Sequence, residues 1–233
     1  MRAFNPQPLA CTVWRAVEAQ HLVSTMPLVD NNLDDQRVLE EILDASKPPV
    51  PPSARHLHWL LATPFRYPPH PTGSRFRGRY DPGTFYGAFE RRTALAEFGF
   101  WRWRFIRDSA GLNTQRAHPI GVFEADIAID AVDLRAPPWA GQAEQWTHPH
   151  DYHATQAFAQ AAREANVGCI VYESVRDPQR GGCVAVLRPE AFLAGQQPQT
   201  QTWYLTVTAT QAIFQQADAA HAFDFSVWMD GEG

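Results

Sequence analysis

The chain has 233 residues, a hydrophobic content of 45% and a formal net charge of −5. This length fits one domain with a sizeable core, and the acidic balance excludes a general attraction to nucleic acid or to an anionic membrane. The three cysteines form no CxxC pair, so we expect free thiols in a reducing compartment. The N-terminal region has no apolar stretch long enough for a signal peptide or a membrane span. We therefore expect a cytoplasmic protein.

The N-terminal part of the chain predicts one strand followed by a helical insert. Residues 10–17 have the composition of a strand. Residues 33–45 predict a helix that has acidic residues near its start and an apolar stripe along one side. The proline-rich run 47–52 must end that helix, and a second short helix is predicted over residues 55–62. We predict a single domain over 1–233 with a helical insertion at about 30–67.

The central unit combines a basic turn, a strand and a helix. Asp-Pro-Gly at 81–83 is a turn signal, and residues 84–88 are rich in strand formers. The apolar side chains that follow recur at three- and four-residue steps, which predicts a helix with Trp101 and Phe105 on its buried face.

Three residues of this unit, Arg75, Tyr86 and Glu97, lie at equal intervals of eleven positions. They supply one cation, one aromatic ring and one carboxylate, the groups needed to hold a dinucleotide by its phosphates and to cleave a glycosidic bond. An ordinary salt bridge and a packed tyrosine would explain the same residues, so spacing alone leaves both interpretations open.

The second half of the chain predicts short strands mixed with helices. A loop is expected over 137–150, a helix over 153–166, and strands over 121–132, 169–172, 182–187 and 202–208. Seven or so short strands with a few helices indicate the α+β fold class.

Several other functional motifs are absent or weak. The sequence contains no GxGxxG, GxxxxGK[ST] or GxSxG motif. His148, His150, Asp151 and His153 form a polar cluster, but neither HExxH nor a Cys/His spacing accompanies it. We expect no metal there and interpret the cluster as a polar loop leading into a helix cap. The aromatic and basic residues of 101–107 could form a nucleic-acid strip, although a core face with a solvated edge explains them equally well.

Segments in three parts of the chain resemble the RES domain family. They are VWRAV near the N-terminus, GSRF, FYGA and TALAEF in the centre, and IVYESVRDP with GGCVAVLRPEAF further on. The resemblance spans about residues 13–192. It implies an ADP-ribosyltransferase-like fold, with a mixed or antiparallel β core and flanking helices, and an enzyme that consumes NAD.

The resemblance also implies the site residues, which follow by position. The family's Arg, Tyr, Glu and Ser fall on Arg75, Tyr86, Glu97 and Ser174, and its early Arg falls on Arg15. The first four are expected to act in catalysis. The NAD-binding residues are expected to be Arg15, Arg75, Tyr86 and Ser174.

Two departures from the family pattern matter. Many members have Asn-Pro after the Arg-Phe or Arg-Trp pair, whereas here Phe76 is followed by Arg77, Gly78 and Arg79. This leaves open whether Arg75, Arg77 or Arg79 meets phosphate. The common Tyr-Leu-Ala is Tyr-Gly-Ala in this chain, which is a milder change.

Family members are typically toxins of bacterial type II toxin–antitoxin pairs. The resemblance therefore implies a toxin that cleaves the nicotinamide–ribose bond of NAD, as a glycohydrolase or a phosphorylase, without a metal. It also implies a helix-turn-helix antitoxin of the Xre type as partner in a hetero-oligomer. Two alternatives stay open: a mono-ADP-ribosyltransferase that modifies a protein, and a non-enzymatic RNA-binding or interaction module.

Overall fold

The structure, a computed structural model, describes residues 4–19, 29–30, 32–112 and 114–229. The predicted single domain includes further residues that lie outside this description. The helices are α1 (Leu33–Ser46), α2 (Trp59–Arg66), α3 (Arg91–Asp108), α4 (Ala143–Trp146), α5 (His153–Glu164) and α6 (Ser226–Met229). The strands are β1 (Gln7–Glu18), β2 (Phe85–Ala88), β3 (Gln115–Asp133), β4 (Cys169–Glu173), β5 (Gly182–Val186), β6 (Thr200–Val207), β7 (Gln211–Gln216) and β8 (Ala219–Asp224).

The eight strands form one mostly antiparallel sheet in the order β1-β2-β5-β4-β3-β6-β7-β8. Strand β1 also pairs with β3 over its whole length, from Gln7 opposite Ala131 to Glu18 opposite Ile120. Because β1 contacts both β2 and β3, the first five strands of this order close a circuit, and β6 to β8 extend from it. Helices flank the sheet, which confirms the predicted combination of a mixed β core with flanking helices.

The pair β3–β4 runs parallel, from Ala131 opposite Cys169 to Asp133 opposite Val171. Parallel neighbours need a long crossover, and here it contains α4 and α5. Within the described residues, no helix is long and apolar enough to cross a membrane.

One prediction about local structure is wrong, and one pair of strands was missed. The second helix begins at Trp59 rather than residue 55, because Pro52–Ala54 forms a separate 3-10 turn and Nδ1 of His58 accepts the N–H of Leu60 at 3.3 Å. The side chain of His58 thus marks the start of the helix. The C-terminal hairpin of β7 and β8 was not predicted at all.

The buried face of α3 also differs from the prediction. Phe100 and Trp103 pack against the aromatic cluster of β6 to β8 and α6, and the rings of Trp103 and Trp228 lie 5.8 Å apart between centroids. Trp101 and Phe105, which were predicted to be buried, are 48% and 56% exposed. The helix therefore turns a different apolar face towards the sheet.

Candidate active site

A cleft of about 680 Å³ lies between α3 and the strands β1 and β2. Its lining includes four of the five predicted site residues, namely Arg15, Arg75, Tyr86 and Glu97. The fifth, Ser174, is in hydrogen-bond contact with Glu97 but is itself fully buried. The volume falls in the range typical of pockets that bind a drug-sized ligand.

The contact between Glu97 and Ser174 lies at the centre of the site. Glu97 is half-buried on the second turn of α3, and Ser174 directly follows β4. The hydroxyl of Ser174 donates to Oε1 of Glu97 at 2.6 Å. Its Oγ also accepts from the backbone N–H groups of Arg176 and Asp177, at 3.1 and 3.0 Å. Because two donors already point at Oγ, the hydroxyl proton is directed at the carboxylate, which fixes the position of Glu97.

The turn between β4 and β5 is tied to the first turn of α3. The carboxylate of Asp177 accepts from Thr93 Oγ1 at 2.7 Å and forms an ion pair with Arg92. A Cβ atom at Gly181 would come within 2.1 Å of that Thr93 hydroxyl, so only glycine permits this approach. The helix that carries Glu97 and the turn that carries its hydrogen-bond donor are therefore held together.

Arg15 brings a half-buried cation from β1 into the cleft. Its Nη1 donates to the carbonyl of Tyr86, and its guanidinium lies 4.8 Å from the ring centre of Phe85. Its Nε is buried and has no hydrogen-bond partner among the described residues. Desolvation lowers the pKa of Arg15 to about 10, so the group stays charged at neutral pH. A cation in a cleft with one buried, unsatisfied N–H suits an anionic ligand.

Tyr86 fixes the turn that precedes β2. Its hydroxyl contacts Ser74 Oγ at 2.8 Å and accepts from the backbone N–H of Phe76 at 3.0 Å. Desolvation raises the pKa of Tyr86, so its phenol is neutral at physiological pH. The hydroxyl of Tyr86 thus makes its hydrogen bonds within the protein and holds this turn in place. Ser74 and Arg75 of the same turn line the cleft together with Tyr86.

Arg75 is buried and holds the loop before α5. Its Nη1 donates to the carbonyls of Trp146 and His148, both at 3.0 Å, and its guanidinium lies 4.7 Å from the ring centre of Tyr152. The sequence left open which of Arg75, Arg77 and Arg79 contacts phosphate, and of these three Arg75 lines the cleft. Arg77 instead donates to the carbonyls of Asp81 and Tyr67, and Arg79 lies over the ring of Tyr80.

Sequence reasoning missed Tyr152 and Arg176, which both line the cleft. Arg176 is buried, donates to the carbonyl of Pro149 and lies 3.3 Å from the hydroxyl of Tyr152. Burial lowers the pKa of Arg176. Arg75 thus lies over the ring of Tyr152, and Arg176 donates to its hydroxyl. The position of Arg176, two residues after Ser174, was a signal that could have identified it.

The histidine-rich cluster leads into α5. Nδ1 of His148 accepts the N–H of Asp151 at 2.8 Å, and Oδ1 of Asp151 accepts the N–H of His153 at 2.9 Å. The cluster is thus a polar loop before α5, as predicted, but the N-cap residue of the helix is Tyr152, whose side chain makes no capping hydrogen bond. No group of three or more His, Cys, Asp or Glu residues that could hold a metal ion occurs in the described part of the chain.

Comparisons with known proteins add a family assignment. The family model of the RES domain matches residues 50–208, which is more than half of the chain. A comparison with curated proteins gives no significant match. Among solved structures, a chain in the crystal structure of the M. tuberculosis MbcT–MbcA toxin–antitoxin complex is similar, with a TM-score of 0.49 and 10% sequence identity. The alignment covers 97% of this chain and 90% of that one.

Proposed function

The chain belongs to the RES domain family, and on that basis we propose that its cleft binds NAD and cleaves the bond between nicotinamide and ribose. The observation that carries the proposal is a carboxylate, Glu97, fixed by Ser174 in a cleft that also holds buried arginines. With this activity we also propose the family's other attributes: an ADP-ribosyltransferase-like fold, action as a toxin in the cytoplasm, and neutralisation by an Xre-type antitoxin in a hetero-oligomer.

One carboxylate is enough for this chemistry. The nicotinamide of NAD is a cation that departs as a neutral base, so it needs no general acid, whereas an ordinary glycosidase needs two carboxyl groups. Positive charge develops on the ribose ring as the bond breaks. An ionised Glu97 beside that ring stabilises the transition state more than the ground state.

The other residues divide into ligand-binding and positioning roles. Arg15 binds a pyrophosphate oxygen, since its buried Nε has no partner among the described residues. Tyr86 and Tyr152 offer ring faces to the nicotinamide riboside and exclude water. Ser174 acts through Glu97, because it is fully buried and donates to that carboxylate. Arg75 holds Tyr152 and adds a second positive charge to the cleft lining.

The acceptor of the ADP-ribosyl group decides between a hydrolase, a phosphorylase and a transferase. Purified protein incubated with NAD, with and without inorganic phosphate, would give ADP-ribose, its phosphorylated form, or protein-bound ADP-ribose. Mass spectrometry distinguishes these three products.

The proposal is tested with the nearly isosteric variant Glu97→Gln. We expect it to lower nicotinamide release by at least about 100-fold, because the charge that stabilises the transition state is lost. The matched control is Glu190→Gln, the same change at a half-exposed carboxylate outside the cleft. Equal nicotinamide release by the Glu97→Gln protein and its parent would refute the role of Glu97, provided that both unfold at the same urea concentration.

A further inference from the structure

Helix α6 contacts the turn that carries Ser174. The indole Nε1 of Trp228, in α6, donates to the backbone carbonyl of Arg176 at 2.8 Å. Trp228 is fully buried and lies outside the cleft lining. It also lies after residue 208, where the match to the RES domain model ends, so the family resemblance gives it no role.

One peptide group connects Trp228 with Ser174. Its carbonyl belongs to Arg176 and accepts from Trp228, while its N–H belongs to Asp177 and donates to Oγ of Ser174 at 3.0 Å. A trans peptide group is planar, and its C=O and N–H point in opposite directions. A hydrogen bond that holds the oxygen therefore also sets the direction of the N–H.

The indole that holds this carbonyl is itself fixed by packing. The ring of Trp228 lies 6.0, 5.8 and 5.6 Å, between ring centres, from Phe100, Trp103 and Phe225. Phe100 also lies under the guanidinium of Arg176, at 3.5 Å from its ring centre. The main chain and the side chain of Arg176 thus both contact this aromatic cluster. Because protein interiors are close-packed, the cluster leaves the peptide group little freedom to turn.

We propose that Trp228 is a positioning residue for Glu97, an inference that rests on the proposed function. The hydrogen bond from Trp228 directs the N–H of Asp177 at Oγ of Ser174, which also accepts the N–H of Arg176. With two donors on Oγ, the hydroxyl proton points at the carboxylate of Glu97. Without the indole N–H, the peptide group can turn and the hydroxyl is no longer held in that direction.

The test begins with Trp228→Phe, which keeps an aromatic ring in the cluster and removes the N–H donor. We expect it to lower kcat for nicotinamide release by about 3- to 10-fold and to leave the KM for NAD unchanged. The matched control is Trp203→Phe. Trp203 is a fully buried tryptophan of the same cluster, but its Nε1 donates to the side chain of Gln201 at 3.3 Å. This control should keep the kcat of the parent protein.

A double-mutant cycle separates positioning from general loosening of the fold. If Trp228 acts through Ser174, then Trp228→Phe should lower kcat in the parent protein and have no further effect in a Ser174→Ala background. A purely structural effect of Trp228 would lower kcat by the same factor in both backgrounds. Urea unfolding of all four proteins identifies a temperature at which each is folded.

A second replacement keeps the test decisive if Trp228→Phe does not fold. Benzothienylalanine at position 228 retains the two fused rings and has sulfur in place of the indole N–H, so it should lower kcat in the same way. An unchanged kcat in this protein, an equal loss in Trp203→Phe, or equal factors in the two backgrounds of the cycle would overturn the inference while the proposed function stands. A parent protein that releases no nicotinamide from NAD would refute the proposed function, and this inference would fail with it.

Discussion

Replacing Ser174 with alanine would remove the hydroxyl that donates to Oε1 of Glu97 at 2.6 Å. A hydrogen bond to a charged group contributes about 1.5–3 kcal/mol. If this bond holds Glu97 in the geometry that stabilises the transition state, its loss should lower kcat by roughly 10- to 150-fold. The KM for NAD should change little, because Ser174 is fully buried and lies outside the cleft lining.

The same substitution also affects folding, and this effect must be separated from catalysis. The backbone N–H groups of Arg176 and Asp177 would lose their acceptor, at about 1–3 kcal/mol for each unsatisfied group. The matched control is Thr93→Val, which removes another fully buried hydroxyl that donates to a carboxylate, that of Asp177. It should lower the free energy of unfolding without the same loss of kcat, since the contact between Ser174 and Glu97 stays.

Both variants are measured by urea unfolding and by steady-state release of nicotinamide, at a temperature where each is fully folded. A Ser174→Ala protein that keeps the kcat of its parent while its stability falls would show that the contact with Glu97 is only structural. An equal loss of kcat in Thr93→Val would mean that general loosening of the turn, rather than the hydrogen bond to Glu97, explains the effect.

Two further predictions concern binding and pH dependence. Arg75→Lys should raise the KM for NAD, because one ammonium group cannot both bridge two carbonyls and cover the ring of Tyr152. The control variant Arg77→Lys should leave the KM unchanged. Equal KM values for the two variants would contradict the prediction. Burial raises the pKa of Tyr172 in the folded protein well above its usual 10.0. As the pH rises above 10, the phenol therefore ionises first in the unfolded chain, which stabilises the unfolded state. The contribution of Tyr172 to the free energy of unfolding is thus present below pH 10 and is lost above it. Above pH 10, the free energy of unfolding of Tyr172→Phe should therefore fall less steeply than that of the parent protein, by up to about 1.4 kcal/mol per pH unit. Urea midpoints of the two proteins that fall in parallel as the pH rises would refute a raised pKa of Tyr172.

Local patterns were enough to predict much of the fold and part of the site. Arg75, Tyr86 and Glu97 belong to one continuous turn, strand and helix, so their proximity followed from short-range structure. The partnership of Glu97 with Ser174 spans 77 positions and depends on the order β2-β5-β4, which places the turn after β4 near the start of α3. Strand pairing of this kind leaves no local trace in a single sequence. Only the family resemblance pointed to Ser174.

The error on α3 has a physical cause. Two sets of apolar residues on this helix recur at helical spacing, one with Trp101 and Phe105, the other with Phe100 and Trp103. Periodicity identifies the helix but cannot choose between two such faces. The choice was made by the aromatic cluster of β6 to β8 and α6, and the sequence analysis had not identified β7 and β8. A missed hairpin thus reversed the assignment of the buried face.

An apolar surface on two sides of α3 is what a helix needs when one side builds the core and the other forms a wall of the cleft. A helix with one packed face and one solvated face would carry polar residues where Trp101 and Phe105 lie. The guanidinium groups of Arg104 and Arg102 lie 5.8 and 5.7 Å from the ring centres of Trp101 and Phe105. Glu97 lies on the same cleft wall and accepts a hydrogen bond from Ser174. The helix thus combines a fixed carboxylate with two half-exposed aromatic side chains in one wall of the cleft.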